Sequence, residues 1–194
     1  MLARIAAAVA LAVAGAATAA DGDRQLKVVP SKALPAIEAV TVYKTGDIKA
    51  GKERPKPLLT ATKFGDPLIL PGAGPFDIYA KPKGGIPVLV AEKVTVTPGR
   101  PHELKLGDLL GTVEVFQKDD SPRAEKVVVT ATDDPGPDEK GHVAVQVGSD
   151  YRVEMPVPEG FYAVWVVPAN GARAQRVADR VRVLTGRSVR VGGE

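Results

Sequence analysis

The chain has no cysteine, so neither a disulfide framework nor a thiolate metal site can form, and any core must hold by apolar burial alone. It has only two histidines, His102 and His142, and they fall in different halves of the sequence. A shared zinc site or a Ser/His/Asp arrangement would require those halves to converge on one point. Ser31, Ser121, Ser149 and Ser188 lack the context of a nucleophile elbow. The sequence therefore predicts no catalytic residue, no metal site, no cofactor and no enzyme. Aromatics make up 5% of the residues, and the 26 basic residues are interleaved with 23 acidic ones. Nucleic-acid binding wants a concentrated cationic stripe with stacking rings, and that class is excluded.

Long apolar runs are scarce too, and the one present is N-terminal. MLARIAAAVALAVAGAATAA carries one charge at Arg4, an apolar run from Ile5 to Val13 and small residues up to Ala20. This is the pattern of a signal peptide over residues 1–20, with the mature chain beginning near Asp21 and no membrane span after cleavage. Cleavage removes Arg4 and no acid, so 25 basic residues face 23 acidic ones and the formal charge falls from +3 to +2. The expectation is export, to the periplasm or the cell surface.

Past residue 20, helical spacing is rare and period-two alternation is common, which predicts an all-β chain. The clearest strands are 39–44, 76–81, 88–97, 112–117, 126–132, 142–147, 151–155, 161–167, 177–184 and 188–191. Lys-Gly-Gly, Pro-Gly, Asp-Asp-Pro-Gly and Asn-Gly clusters bound them and supply the turn geometry. Asn170-Gly171 reads as a type I′ hairpin turn.

The alternating pattern is written twice. Val40 to Lys44 resembles Val113 to Gln117, Tyr79 corresponds to Trp165, and Gly99 corresponds to Gly186. The offset grows from 73 to 86 and 87, which predicts about thirteen extra residues in the second copy, around DDPGPDEKGH. So long a period is a duplicated domain rather than a solenoid unit. The expected division is a signal peptide at 1–20, a lead segment at 21–37, a sandwich at 38–107 and a second at 112–194. GDLLG at 107–111 is too short and too apolar for a flexible tether, so the modules should touch end to end.

The motifs resemble the carboxypeptidase regulatory-like modules of the prealbumin-like and CNA-B-like β-sandwich group. The second copy reads VEV at 113–115, PEGFYAV at 158–164 and VRVLTGRSVRV at 181–191. The first reads VTV at 40–42, PGAGPFDI at 71–78 and VTVTPGRPHEL at 94–104. The resemblance implies two tandem Ig-like antiparallel sandwiches of seven short strands each. It also implies service as an appendage, linker or binding module, and no catalytic residue. The first copy departs by lacking a clear second strand around GKERPKPLL, which leaves its sandwich incomplete.

Several residues are candidates for function. Alternation puts Phe76, Ile78 and Ala80 inward and Tyr79 outward, and Tyr162, Val164 and Val166 inward and Trp165 outward. Tyr79 and Trp165 are therefore the candidate ligand-binding pair, as an aromatic platform, the alternative being that Trp165 is covered by the neighbouring module or by the lead segment. The carboxylates of 133–141, with Asp119 and Asp120, could gather a calcium ion, but two prolines and the missing D-x-D-x-D-G register favour a solvated loop. Arg173, Arg176, Arg180 and Arg182 read either as a face for an anionic partner or as edge charges that discourage aggregation. The resulting expectation is an exported non-catalytic binding or scaffold module whose partner is another protein or a cell-envelope polymer. A carbohydrate-binding module and an enzyme of unrecognised type are its competitors.

Overall fold

The computed structural model describes residues 23–49, 54–117 and 123–192. The expected signal peptide and Asp119, Asp120 and Ser121 lie outside the described residues. β-Branched residues at every second position form strands throughout. In IEAVTVYK, for example, Val40 and Val42 are fully buried in the core while Thr41 and Tyr43 take the other face, that of Tyr79.

The first seven strands are β1 (Gln25–Val29), β2 (Ile37–Lys44), β3 (Leu59–Ala61), β4 (Leu68–Ile69), β5 (Phe76–Pro82), β6 (Val88–Val94) and β7 (His102–Lys105). A 3-10 turn at Leu106–Asp108 leads to β8 (Leu110–Val115), β9 (Ala124–Ala131), β10 (Ala144–Gly148) and β11 (Glu154–Pro158). The last three are β12 (Gly160–Pro168), β13 (Gln175–Val183) and β14 (Ser188–Val191). The sheets run β4-β1-β7 and β3-β2-β5-β6, then β11-β8-β14 and β10-β9-β12-β13. The protein is all-β, with two sandwiches of one three-stranded and one four-stranded sheet.

Each sandwich has its own apolar core. Leu26, Val28 and Leu104 from one sheet meet Val40, Val42, Phe76 and Ile78 from the other. Val113, Val115, Met155 and Val157 likewise meet Val127, Val129, Tyr162 and Val164. Among the described residues, pairing is antiparallel except at two equivalent places: β1 runs parallel to β7, and β14 runs parallel to β8.

This topology corrects the alignment of the copies. The first copy opens with β1, at the centre of its three-stranded sheet, so the counterpart of β8 is β1 and not β2. LKVV in the lead segment has the required alternation, but its neighbours in sequence hide it. Val28 lies beside Leu104 as Val115 lies beside Val191, a displacement of 87 positions in each strand. Thr41 faces Tyr79 as Val128 faces Trp165. The copies therefore stay at a displacement of 86 or 87 throughout, and the thirteen-residue insertion disappears. The first sandwich also has a full set of strands, because β3 and β4 supply those that GKERPKPLL does not announce.

The backbone irregularities are duplicated as well. On β5–β6 the register shifts between Phe76 and Ile78 and again between Ile78 and Tyr79. On β12–β13 it shifts between Tyr162 and Val164 and between Val164 and Trp165, the same positions displaced by 86. A third pair matches: Ile37/Ala39 opposite Lys81 and Pro82, and Ala124/Lys126 opposite Val167 and Pro168. Bulges bend and twist a strand, and here both copies carry them at equivalent positions.

The junction is short and apolar. Leu106 and Leu110 are fully buried in the first core, although Leu110 is already the first residue of β8 and pairs with Pro158 of β11. One residue thus belongs to the packing of the first sandwich and the hydrogen bonding of the second. Across the junction, the turn between β5 and β6 rests on β10: the Gln146 Oε1 accepts from the Ile86 N–H at 2.8 Å, and its Nε2 donates to the Ile86 carbonyl at 3.2 Å. Gln146 is 1% exposed.

Candidate functional site

Tyr79 and Trp165 stand at equivalent outward positions on the middle strands of the two four-stranded sheets, as the alternation predicts, and both are half-buried. Each lies under an arginine. The Arg54 guanidinium sits 5.0 Å from the Tyr79 ring centre and donates to the Pro87 carbonyl at 3.3 Å. Tyr43 packs edge-on against the same ring at 5.6 Å, and burial pushes the Tyr79 hydroxyl above its usual pKa. The Arg176 guanidinium sits 5.3 Å from the Trp165 ring and donates to the Thr132 carbonyl at 2.8 Å. The indole N–H donates to Thr130 Oγ1 at 3.1 Å. Each ring thus offers a π face to a cation of its own chain.

The acidic loop between β9 and β10 is the cover over Trp165. Gly136 lies so close to the indole that a Cβ there would come 2.6 Å from the ring, and its φ of +105° suits glycine. The Asp134 carboxylate holds the loop shut. It accepts from the Gly136 N–H at 2.8 Å, from the Val143 N–H at 2.7 Å and meets His142 Nδ1 at 2.8 Å. Burial raises its pKa, but these hydrogen bonds outweigh it and hold the carboxyl below its usual value. Asp138 points elsewhere and accepts from the Ala174 N–H at 2.6 Å.

The acids of this loop are therefore spread along the cover instead of converging. Among the described residues no three acidic or imidazole side chains come together. The void left beside Trp165, bordered by Pro137, Asp138 and Arg173, is about 90 Å³. Sites for drug-sized ligands are typically about 300–1,000 Å³. His102 lies on β7 of the first sandwich and His142 beside Asp134 in the second, so the structure does not bring them together.

Asn170 and Gly171 lie in a six-residue connection at 169–174, not a two-residue turn. Gly171 has a φ of +75°, whereas Asn170 does not enter the left-handed region that a type I′ turn needs. The Asn170 Oδ1 accepts from the Ala172 N–H at 3.1 Å and so closes a local Asx turn.

Two polar residues emerge that the sequence reading does not single out. Asp77, 8% exposed, accepts from Thr45 Oγ1 at 2.7 Å, from the Lys93 N–H at 3.0 Å and from the Gly46 N–H at 3.4 Å. It thereby holds Lys93, at a φ of +55°, in the bulge of β6. Gln146 is the other, and its signal was a lone amide between two valines in a buried strand.

The fold and these surfaces define a tandem β-sandwich protein. Compared with known proteins, the chain matches no family profile and no curated protein. Among solved structures it is similar to the Bacillus anthracis TIE protein, at 14% identity and a TM-score of 0.30, over 87% of this chain and 32% of that one. It is also similar to GBS52, the minor pilin of Streptococcus agalactiae, at 9% identity and a TM-score of 0.29, over 87% of this chain and 93% of that one. The chain thus spans about a third of the TIE protein's length.

Proposed function

We propose that the chain is an exported, non-catalytic scaffold or binding module of the cell envelope, built to hold two sandwiches in one fixed relation. In this reading β1 to β7 form the first module and β8 to β14 the second, so residues 25–29 of the lead segment join the first. The supporting observation is the junction, where the buried Gln146 amide engages both backbone groups of Ile86 and Leu110 is shared. Residues 1–20 supply the reason to place the protein outside the cytoplasm. Its partner is another protein or an envelope polymer.

The absence of native cysteine makes the test direct. Spin labels on Lys63→Cys and Glu125→Cys, both exposed and one in each sandwich, should give a single narrow distance distribution. Gln146→Ala should broaden it while strand content stays unchanged. A broad distribution in the unmutated background would overturn the reading.

Tyr79 and Trp165 serve, in the same reading, as anchors for covering segments and not as an open glycan platform. Their arginines and the Gly136 contact support this. A shift of Trp165 fluorescence on titration with a neutral glycan would reverse it.

A further inference from the structure

The duplication provides an internal comparison for the arginines of β13. Both β6 and β13 are edge strands of four-stranded sheets, bent by the same two bulges. If charges there served only to keep edges from pairing, either sign would do and the twin edges would need similar protection. β6 manages with Glu92 and Lys93, which pair with each other at 3.2 Å. At the positions where β13 has Arg176, Arg180 and Arg182, the first copy has Leu89, Lys93 and Thr95. Phe161, directly opposite Arg182, is 48% exposed, and Pro75 stands in its place in the first copy. The second edge therefore carries three cations and an open ring where its twin carries one cation and none.

Two of the three charges are also free of ion pairs among the described residues. Arg176 is engaged with Asp179 at 2.7 Å. Arg180 lies 5.0 Å from the Phe161 ring centre, and neither it nor the exposed Arg182 has an ion-pair partner among the described residues. Arg173, just before the strand, is exposed as well. From Arg176 to Arg182 the strand spans at most about 20 Å at its normal rise. The acids near these arginines include Asp179, paired with Arg176, Asp138, held by Ala174, Glu139, which borders the same void as Arg173, and exposed Asp133, next to Thr132.

From this we propose that the β13 edge is a docking surface for an acidic polysaccharide. Guanidinium groups in a row match carboxylates repeated along an extended polymer, and their fork geometry suits each carboxylate. Phe161, 48% exposed beside Arg180, offers apolar area to the C–H groups of a sugar ring. A lipid surface would favour a broad, continuous apolar insertion face, whereas the exposed apolar groups here, Phe161, Val177 and Leu184, are separated in sequence by arginines and half-buried residues. This deepens the reading of the chain as an envelope binding module. Its failure is separable, since label distances report the junction and not this edge.

The probe is polygalacturonate, with dextran as the neutral polymer and phosphatidylglycerol vesicles as the lipid alternative. The full chain should bind polygalacturonate, more weakly as salt rises, and ignore dextran. Arg180→Ala/Arg182→Ala should lower affinity at least tenfold and flatten the salt dependence. Arg182→Gln, which leaves Arg180 on its ring, should lose severalfold, as should Phe161→Ala. Lys93→Ala on the twin edge should leave binding unchanged. Trp165 emission would confirm that each variant keeps its fold. The proposal is overturned if polygalacturonate is not bound, if the double variant binds as the parent does, or if vesicles are bound and the polymer is not.

Discussion

The side-chain amide of Gln146 in the second sandwich takes both the N–H and the C=O of Ile86 in the first, as a neighbouring strand would. A buried amide in that position ties two cores into one cooperative unit. Gln146→Leu fills similar space but leaves both backbone groups of Ile86 unpaired, at a cost of about 1 kcal/mol or more for each. Trp165 reports only the second sandwich, so urea unfolding followed by its emission and by circular dichroism should coincide in the parent and separate in the variant. Coincident transitions with an unchanged midpoint would show that the amide couples nothing.

The covering loop depends on Gly136. Gly136→Ala carries both a strained φ of +105° and a clash with the indole, whereas Gly171→Ala, at +75° with nothing near its Cβ, carries only the strain. Gly136→Ala should therefore cost more, about 2 kcal/mol against about 1 kcal/mol. It should also shift Trp165 emission to the red as the loop lifts. Equal costs and equal emission would mean that the contact is slack.

Stability should fall in acid through two carboxylates. Burial pushes the Asp77 pKa up, but hydrogen bonds from Lys93, Thr45 and Gly46 outweigh it and hold the pKa below 3.8. Asp134 is held below the same value by His142, Val143 and Gly136. A carboxyl with a depressed folded pKa contributes fully above the unfolded value and loses that contribution as pH falls through the folded one. Unfolding free energy from these groups should thus be flat between pH 5 and 7 and drop below about pH 4. Asp77→Asn should lower it by about 1–2 kcal/mol at pH 7 and blunt the acid drop. An undiminished drop would place the acid sensitivity elsewhere.

Lys93 has a φ of +55°, while its counterpart Arg180 is not in the left-handed region. A side chain in that conformation costs about 1–2 kcal/mol, and glycine returns about 0.5–1 kcal/mol of that as chain entropy. Lys93→Gly should therefore stabilise by a few tenths to about 1 kcal/mol, and Arg180→Gly should destabilise. Thermal midpoints moving the same way in both variants would contradict the difference between the twin bulges.

The all-β class and the longer strands were legible because burial on one face leaves a period-two trace, as in 76–81 and 161–167. The expected strand at 188–191 coincides with β14. β3 and β4, with three and two residues, are too short to leave such a trace. β1 was hidden because nothing local announces a parallel partner almost eighty residues away, and mistaking β2 for the opening strand produced the false insertion. Tyr79 and Trp165 were placed outward correctly by alternation. What lies over them was not legible, because the arginines and the loop arrive from elsewhere in the chain. Asp77 reads as an outward polar residue of its strand, and the amide of Gln146 has no evident role, until their partners at Lys93 and Ile86 are seen.

The two parallel pairings have a mechanical consequence. In each sandwich the first and last strands are neighbours running the same way, with Leu26 beside His102 and Val29 beside Lys105, and Ser188 beside Thr112 and Val191 beside Val115. Tension applied at opposite ends of such a pair slides the strands past one another and loads the bonds of that ladder together, instead of peeling them one at a time. A chain pulled between its termini would meet that resistance twice in series.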